Sequence, residues 1–286
     1  MKYLFHLILI LLLFSQLQAQ TPHKQTSAFV FSGVIMNNNN VQLLQDFTAY
    51  ISKKSDIPLK PAYVNSYTEL SRLLKEHPHS LAWTCGAPFV VAHKKAEEKL
   101  VAVPLYKGVP TYHSVIITKK PSTKKCISEF KGEILAYSDP LSNSGYLAPK
   151  YHLAQSKIKL KEHFSLMLNT GSHEGSITAV RGGLADIAAV DEYILDTYLL
   201  KNPDAKKELK EIKRLGPFPF TPIVTGKEVS PQEIKRLKSI FTQMENDPEG
   251  RRLLKAFSLD GFVLKETEFY QPIEKMIESV GLDTPW

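Results

Sequence analysis

Two short polar segments hold the residue types best suited to bind an anion, and the first runs YSDPLSNSGY over residues 137–146. It places Ser142, Asn143 and Ser144 where an apolar strand gives way to a helix. Because the first amides of a helix lack intrahelical acceptors and point outward, such a helix start can bind an anion. The three side chains would add donors, and Gly145 would let a ligand approach the backbone. The pattern is also typical of an ordinary helix cap, so both interpretations stay open.

The second segment, TGSHEG at residues 170–175, has the same strand–turn–helix setting. His173 could donate a hydrogen bond to an anion from another side, although a histidine on a surface turn fits the pattern equally well. Two such helix starts, about thirty residues apart in one α/β unit, favour an anion site more than either does alone.

Signatures of catalysis and of metal binding are mostly missing from the chain. It has no G-x-S-x-G, no G-x-x-x-x-G-K-[ST], no C-x-x-C and no H-E-x-x-H motif. The S-x-x-K match at residues 122–125 falls in a lysine-rich link and is attributed to chance. A Ser–His–Asp assembly drawn from distant segments stays open. We therefore predict a protein that is not an enzyme and that uses no cofactor or metal.

Residues 1–19 are predicted to be a removable secretory signal. Lys2 gives a positive start, an apolar run covers residues 4–14, and Ala19 ends a short polar stretch at a plausible cleavage site. The run is well under the roughly 20 residues that span a bilayer, although a retained anchor is an alternative. The mature chain is expected to be soluble and exported.

The charge and cysteine content exclude few partners. The formal net charge is +7, which falls to +6 without Lys2, and acidic residues lie between the basic ones. This balance favours anionic partners in general, but a scattered charge does not predict a nucleic-acid surface. We expect a monomer. Cys85 lies in an apolar run typical of a buried thiol, while a disulfide with Cys126 stays open.

Short apolar runs alternate with amphipathic stretches, a pattern typical of α/β proteins. Strands are predicted at residues 29–35, 61–64, 81–84, 100–105, 112–118, 134–137, 164–168, 187–190, 212–215 and 222–225, with a turn at 216–219. Helices are predicted at residues 41–54, 67–76, 89–98, 144–155, 175–180, 193–200 and 248–257, from residue 231 onward, and in a last segment ending at 280. The first three strand–helix pairs predict a parallel sheet.

We predict two α/β lobes joined by two crossings near residues 117 and 216, with a ligand cleft between them. Lobe 1 would comprise residues 27–117 and 217–286, and lobe 2 residues 118–216. A single merged sheet would give similar local patterns.

In this order of motifs the chain resembles the phosphate/phosphite/phosphonate-binding (PhnD-like) periplasmic components of ABC importers. The matches run along nearly all of the chain after the leader and are LAW at 81–83, VP at 103–104, YHSVI at 112–116, DP at 139–140, SNSGYL at 142–147, GSHE at 171–174, ADIAAVD at 185–191, PIV at 222–224 and DPEG at 247–250. Single matches are weak, but the ordered set is specific.

The resemblance implies a type II periplasmic-binding-protein fold that carries a small phosphorus oxyanion to an ABC transporter permease in the inner membrane. Phosphite, phosphate and alkylphosphonates are the expected ligands. The implied ligand-binding residues are Ser142, Asn143 and Ser144 at the helix start, His173 as a further donor, Tyr112 and Tyr67 from lobe 1, and Asp191 lining the cleft. A carboxylate there could accept a hydrogen bond from a protonated oxyanion and so disfavour sulfate.

Four positions depart from the family pattern. Asn143 replaces the middle residue of the usual Ser-Thr-Ser, and His113 stands where an aromatic residue or a different group is common. Relatives that bind aminoalkylphosphonates have carboxylates where this chain has Tyr193 and Thr221, which makes such a ligand less suited to this site.

Two other functions stay open on the sequence. The same fold can present a ligand to a membrane histidine kinase or chemoreceptor instead of a permease. A secreted phosphate-ester hydrolase is the third hypothesis, and the absence of a clustered His/Asp ligand set argues against it.

Overall fold

The structure, a computed structural model, describes residues 26–35 and 41–282. The predicted leader at 1–19 and the loop at 36–40 lie outside the described residues. The described chain forms two separate mixed β-sheets, so the alternative of a single merged sheet is wrong.

The first sheet has six strands. They are β1 Ser27–Ser32, β2 Leu59–Val64, β3 Leu81–Trp83, β4 Lys99–Leu105, β10 Ile223–Thr225 and β11 Gly261–Val263. Their order in the sheet is β11-β4-β10-β3-β1-β2. Strand β1 runs parallel to β2 and β3, which confirms the parallel sheet predicted from the strand–helix alternation. Strand β11 escaped the sequence analysis because three residues beginning with glycine give no alternation to detect.

The second sheet has five strands. They are β5 Thr111–Lys119, β6 Ile134–Tyr137, β7 Leu166–Asn169, β8 Ile187–Asp191 and β9 Leu209–Pro219, in the order β7-β6-β8-β5-β9. Strand β6 is parallel to β7 and β8, whereas β5 is antiparallel to β8 and β9. The carboxyl ends of β6 and β7, followed by the two polar segments, therefore lie at one edge of this sheet.

The chain crosses between the sheets after β4 and returns after β9. Strands β5 and β9 pair from Thr111 opposite Pro219 to Lys119 opposite Leu209. The turn predicted at residues 216–219 is wrong, because these residues belong to β9. They form a bulge: one residue of β5 lies opposite two of β9 in this stretch. The exact lobe limits at residues 117 and 216 stay a prediction.

Helices cover both sheets. They are α1 Val41–Ser55, α2 Tyr67–Glu76, α3 Gly86–Ala96, α4 Ala148–Ala154, α5 Leu160–His163, α6 His173–Gly182, α7 Glu192–Lys201, α8 Ala205–Glu208, α9 Pro231–Thr242, α10 Pro248–Phe257 and α11 Gln271–Val280. Five of them, α2, α6, α7, α9 and α10, begin with a side-chain cap. The start predicted at Pro231 is confirmed, with Ser230 and Glu233 forming a capping box. In the described part of the chain, no helix is long and apolar enough to cross a membrane.

An aromatic core fixes the first sheet beneath the site. Phe47 of α1 is fully buried and packs edge-on against Phe257, with ring centroids 5.2 Å apart. Trp83, the last residue of β3, packs on Phe257 at 5.5 Å. Such pairs anchor the end of β3, after which Cys85 begins the link to α3. Both cysteines are free, Cys85 buried as predicted and Cys126 partly exposed, so the disulfide left open does not form.

Candidate functional site

The turn after β6 is fixed by the two oxygens of one carboxylate. Asp139 Oδ1 accepts a hydrogen bond from the Leu141 amide at 2.7 Å, and Oδ2 accepts one from the Tyr67 amide at 3.2 Å. Asp139 is 3% exposed, and burial raises the pKa of its carboxyl group. The turn is therefore tied to the start of α2, which follows a strand of the other sheet.

The helix predicted over residues 144–155 begins with a single π turn, Asn143–Leu147, before α4. The Ala148 amide donates to the Asn143 carbonyl, five residues back. Single π turns are frequent at functional sites. This one widens the helix start at the polar segment.

Pro149 and Ser114 determine which group donates a hydrogen bond to one carbonyl of the π turn. The next carbonyl, that of Ser144, would need an amide at position 149, but Pro149 has no N–H. Ser114 of β5 donates its hydroxyl to the Ser144 carbonyl at 2.7 Å instead. A buried carbonyl that would otherwise be unpaired thus gains a partner from the neighbouring strand.

The polar side chains of the π turn have different partners. Ser142 Oγ accepts the Gly145 amide at 2.9 Å, as a helix cap does. Asn143 Nδ2 donates to Tyr112 Oη at 3.0 Å. Asn143 Oδ1 and Ser144 Oγ are buried and have no hydrogen-bond partner among the described residues. A buried polar atom without a partner is costly, so these two atoms mark a place for a polar ligand.

Several amides of the two helix starts bond within the protein, contrary to the expectation that they point freely outward. The Asn143 amide donates to Cys85 Sγ at 3.4 Å, across to the first sheet. The His173 amide donates to the Val34 carbonyl at 3.2 Å, again across to the first sheet. These two amides are therefore not available to a ligand, and they hold the two halves of the molecule together.

His173 is a neutral donor within this cluster. Its Nδ1 accepts the Asp191 amide at 3.2 Å, so the proton of the neutral ring is on Nε2. Nε2 lies 3.5 Å from Ser142 Oγ and 3.4 Å from Ser138 Oγ. Burial lowers the pKa of His173 to about 3, which keeps the ring uncharged at neutral pH.

Two tyrosine hydroxyls belong to the cluster, Tyr67 at the start of α2 after the first sheet and Tyr112 on β5 of the second sheet. Tyr67 Oη is buried and has no hydrogen-bond partner in the described chain. Tyr112 Oη accepts from Asn143, which leaves its own hydrogen available for an acceptor. Burial raises the pKa of both phenols well above the usual value, so both keep their proton.

Asp191 lies at the end of β8 and caps α7. Its Oδ1 accepts the amides of Tyr193 and Ile194 at 2.8 and 3.3 Å. Burial raises the pKa of Asp191 to about 7. The carboxyl group is therefore close to its titration point at neutral pH, and either form can meet a ligand.

The structure brings all seven predicted site residues into one buried cluster. None is more than 2% exposed, and the cluster comprises Tyr67, Tyr112, Ser142, Asn143, Ser144, His173 and Asp191. Hydrogen bonds join Tyr112 to Asn143 and the Asp191 amide to His173. That these residues bind a ligand remains a prediction.

No role in the site was predicted for Cys85, Ser138 and Asp139. Each follows the carboxyl end of a strand, which was the available signal. Gly145 also has a different role from the one expected. A Cβ at Gly145 would lie 2.4 Å from Ser138 Oγ, so the glycine makes room for the protein's own serines.

His113, whose side chain was left open between the cleft and the outside, is directed away from the cluster. Its Nδ1 lies 2.8 Å from Glu192 Oε2, and the side chain is 32% exposed. Arg214 binds the other oxygen of the same carboxylate at 2.6 Å. Across residues 26–35 and 41–282, no group of three or more His, Cys, Asp or Glu side chains is placed to hold a metal ion.

Comparison with known proteins agrees with this architecture. The profile of a family described as "ABC transporter, phosphonate, periplasmic substrate-binding protein" matches residues 34–270. The phosphonates-binding periplasmic protein of Escherichia coli K12 is 25% identical over 231 residues, which cover 78% of this chain and 68% of the relative. The probable ABC transporter phosphite-binding protein PhnD1 of Prochlorococcus marinus MIT 9301 is 23% identical over 247 residues, covering 80% and 81%.

Solved structures share the fold. The binding protein component of an ABC phosphonate transporter from Pseudomonas aeruginosa has a TM-score of 0.79 at 21% identity, covering 88% of this chain and 86% of that one. PhnD1 from Prochlorococcus marinus in complex with methylphosphonate also has a TM-score of 0.79, at 20% identity, covering 89% and 98%.

The buried neutral histidine predicts a specific pH dependence of stability. The pKa of His173 is about 3 when folded, below the usual 6.5, so only the unfolded chain gains this proton as the pH falls from 6.5. The free energy of unfolding should therefore fall by about 1.4 kcal/mol per pH unit more steeply in the wild type than in His173→Gln between pH 4.5 and 6.

The comparison is made by denaturant unfolding of both proteins at each pH. The difference between the two proteins in free energy of unfolding cancels the contribution of Asp191. The raised pKa of Asp191 acts in the opposite direction and adds stability as the pH falls below about 7. Equal slopes in the two proteins would contradict a buried neutral His173.

Proposed function

Because the chain belongs to the family of periplasmic substrate-binding proteins of phosphonate ABC transporters, we propose that its buried cluster binds one small phosphorus oxyanion for delivery to the inner-membrane permease. The observation that carries this proposal is the set of three buried atoms without partners in the described chain, Tyr67 Oη, Asn143 Oδ1 and Ser144 Oγ. They come from both sides of the cluster. A phosphorus oxyanion could satisfy all of them if its ionised oxygens accept from the two hydroxyls and a P–OH group donates to Asn143 Oδ1.

The ligand would be held by neutral donors. No Lys or Arg side chain is buried anywhere in the described part of the chain. The donors are the hydroxyls of Tyr67, Tyr112 and Ser144 together with His173 Nε2, which would exchange its long contacts to the Ser138 and Ser142 hydroxyls for the ligand. Hydrogen bonds to an ionised group are roughly twice as strong as neutral ones, so such donors can hold an anion from which water is excluded.

Acceptors in the same cluster favour a ligand that still carries a proton. Asn143 Oδ1 lacks a partner among the described residues, and the Asp191 carboxyl group has a pKa of about 7. A P–OH group can donate to either oxygen, whereas sulfate has no proton to offer. Phosphite, phosphate and small alkylphosphonates meet this requirement, and sulfate does not.

The positions that would meet an ammonium group carry no charge. Tyr193 Oη donates to the Phe257 carbonyl at 2.7 Å, and Thr221 Oγ1 accepts from Trp83 Nε1 at 3.0 Å. Both hydroxyls thus already have partners. At these two positions an aminoalkylphosphonate would bury its ammonium group without a counter-charge, which is strongly unfavourable.

The remaining parts of the proposal follow from the sequence. Residues 1–19 would be removed on export, and the mature chain would act in the periplasm as a monomer without catalysis or nucleic-acid binding. Lobe 1, residues 27–117 and 217–286, and lobe 2, residues 118–216, would close around the ligand by a hinge motion.

A panel of ligands tests the binding function. Mature protein, residues 20–286, is heated with phosphite, phosphate, methylphosphonate, 2-aminoethylphosphonate or sulfate. A ligand that binds only the folded state raises the melting temperature according to its concentration relative to Kd. We expect a large rise with at least one of the first three, a smaller one with 2-aminoethylphosphonate and none with sulfate. No rise with any phosphorus oxyanion would contradict the proposal.

Replacement of the unpartnered hydroxyl tests the site. Ser144→Ala should weaken binding of the best ligand by about 1–3 kcal/mol, measured by titration calorimetry, because a buried hydrogen bond to the anion is lost. The unliganded protein should lose little stability, since the hydroxyl makes no well-aligned hydrogen bond among the described residues, although Tyr112 lies close enough to interact with it.

Thr225→Val is the matched control. Thr225 Oγ1 is another buried hydroxyl that lacks a partner in the described chain, but it lies opposite Leu81, at the start of β3 and away from the cluster. Its removal should leave Kd unchanged. Equal affinities of Ser144→Ala and the wild type would place the anion elsewhere.

A further inference from the structure

Among the described residues, Asp139 is the one buried carboxylate that binds amides of both halves of the molecule. Oδ1 accepts from Leu141, in its own turn, and Oδ2 accepts from Tyr67, which lies 72 residues away at the start of α2. Strand β2, just before α2, belongs to the first sheet, and β6, just before Asp139, to the second. The carboxylate therefore bridges the cleft.

The Tyr67 amide is a favourable target for a carboxylate. It is the first amide of a ten-residue helix, and it lies at the end where the helix dipole is positive. The side chain of Ser66 caps the same helix through the amide of Glu69, at 3.1 Å. The local cap thus leaves the Tyr67 amide to Asp139 of the opposite half.

Two other hydrogen bonds cross between the halves from residues of the proposed ligand site, and a third joins Tyr193 Oη to the Phe257 carbonyl at 2.7 Å. The His173 amide donates to the Val34 carbonyl, and the Asn143 amide donates to Cys85 Sγ. In each the donor belongs to a residue of the proposed ligand site. Asp139 uses both carboxylate oxygens for amides and supplies no donor to an anion, so its role can be separated from ligand contact.

We propose that Asp139 is a positioning residue that latches the closed cleft and sets the lifetime of the bound complex. The inference rests on the proposed binding function. When the lobes are closed, the Asp139 carboxylate holds the start of α2, whose first residue, Tyr67, carries one of the unpartnered hydroxyls. When they open, this hydrogen bond breaks and Tyr67 leaves the ligand together with α2.

The test compares rates of ligand release and capture. Asp139→Ala should raise the dissociation rate constant about tenfold or more while changing the association rate constant less than about threefold, because the latch forms after encounter. Stopped-flow fluorescence with the best phosphorus oxyanion gives both constants. Asp139→Asn keeps one neutral acceptor and should show an intermediate dissociation rate.

Ser66→Ala is the control variant. It removes a cap from the same helix, so it should lower the melting temperature, but it leaves the Asp139–Tyr67 hydrogen bond intact. Its dissociation rate should match the wild type. If Asp139→Ala does not fold, Asp139→Asn decides the question on the same readout.

The outcomes are distinct. An unchanged dissociation rate in the Asp139 variants, or a fall in the association rate at least as large as the rise in dissociation, would overturn the latch. Failure of wild-type protein to bind any oxyanion would instead overturn the proposed function, before any variant is compared.

Discussion

Burial of hydrogen-bonding groups where the two sheets face each other is the constraint on which the rest of the structure depends. Every amide and hydroxyl there needs a partner, because water is excluded. The protein supplies some partners itself. The Ser114 hydroxyl, for example, donates to the Ser144 carbonyl, because Pro149 has no N–H to donate. It leaves others, such as Ser144 Oγ, without one in the described chain. The paired groups form the scaffold of the site, and the unpaired groups are those that a ligand would bind.

The electrostatics follow from the same burial. A charged histidine or a nearby lysine would attract any anion, whereas His173 is held neutral with a pKa of about 3. Asp191, with a pKa raised to about 7, adds an acceptor that a fully ionised anion cannot satisfy. Selectivity among oxyanions would then depend on the proton of the ligand and on hydrogen-bond geometry, more than on total charge.

The sequence predicted the elements and the members of the site better than it predicted their hydrogen bonds. Helix α2 and strand β6 have the predicted bounds, because their apolar spacing and flanking turns were unambiguous. The prediction of a turn at residues 216–219 was wrong, since the Gly and Pro residues there suit a bulge as well as a turn. Strand β11 was too short to show a pattern.

Contacts between distant segments were beyond the reach of local patterns. Nothing near Asp139 indicates that its second oxygen would accept an amide from residue 67. Likewise, the helix starts were expected to offer free amides, yet the amides of Asn143 and His173 bond to the opposite half. Only the tertiary arrangement decides which donors remain for a ligand.

The most direct test is a crystal structure of the mature protein with its tightest-binding phosphorus oxyanion. The account predicts ligand oxygens at about 2.6–3.1 Å from Ser144 Oγ, Tyr67 Oη and His173 Nε2, with a ligand hydroxyl facing Asp191 or Asn143 Oδ1. An anion held by surface lysines, or a cluster in which these atoms bond only to one another, would contradict it.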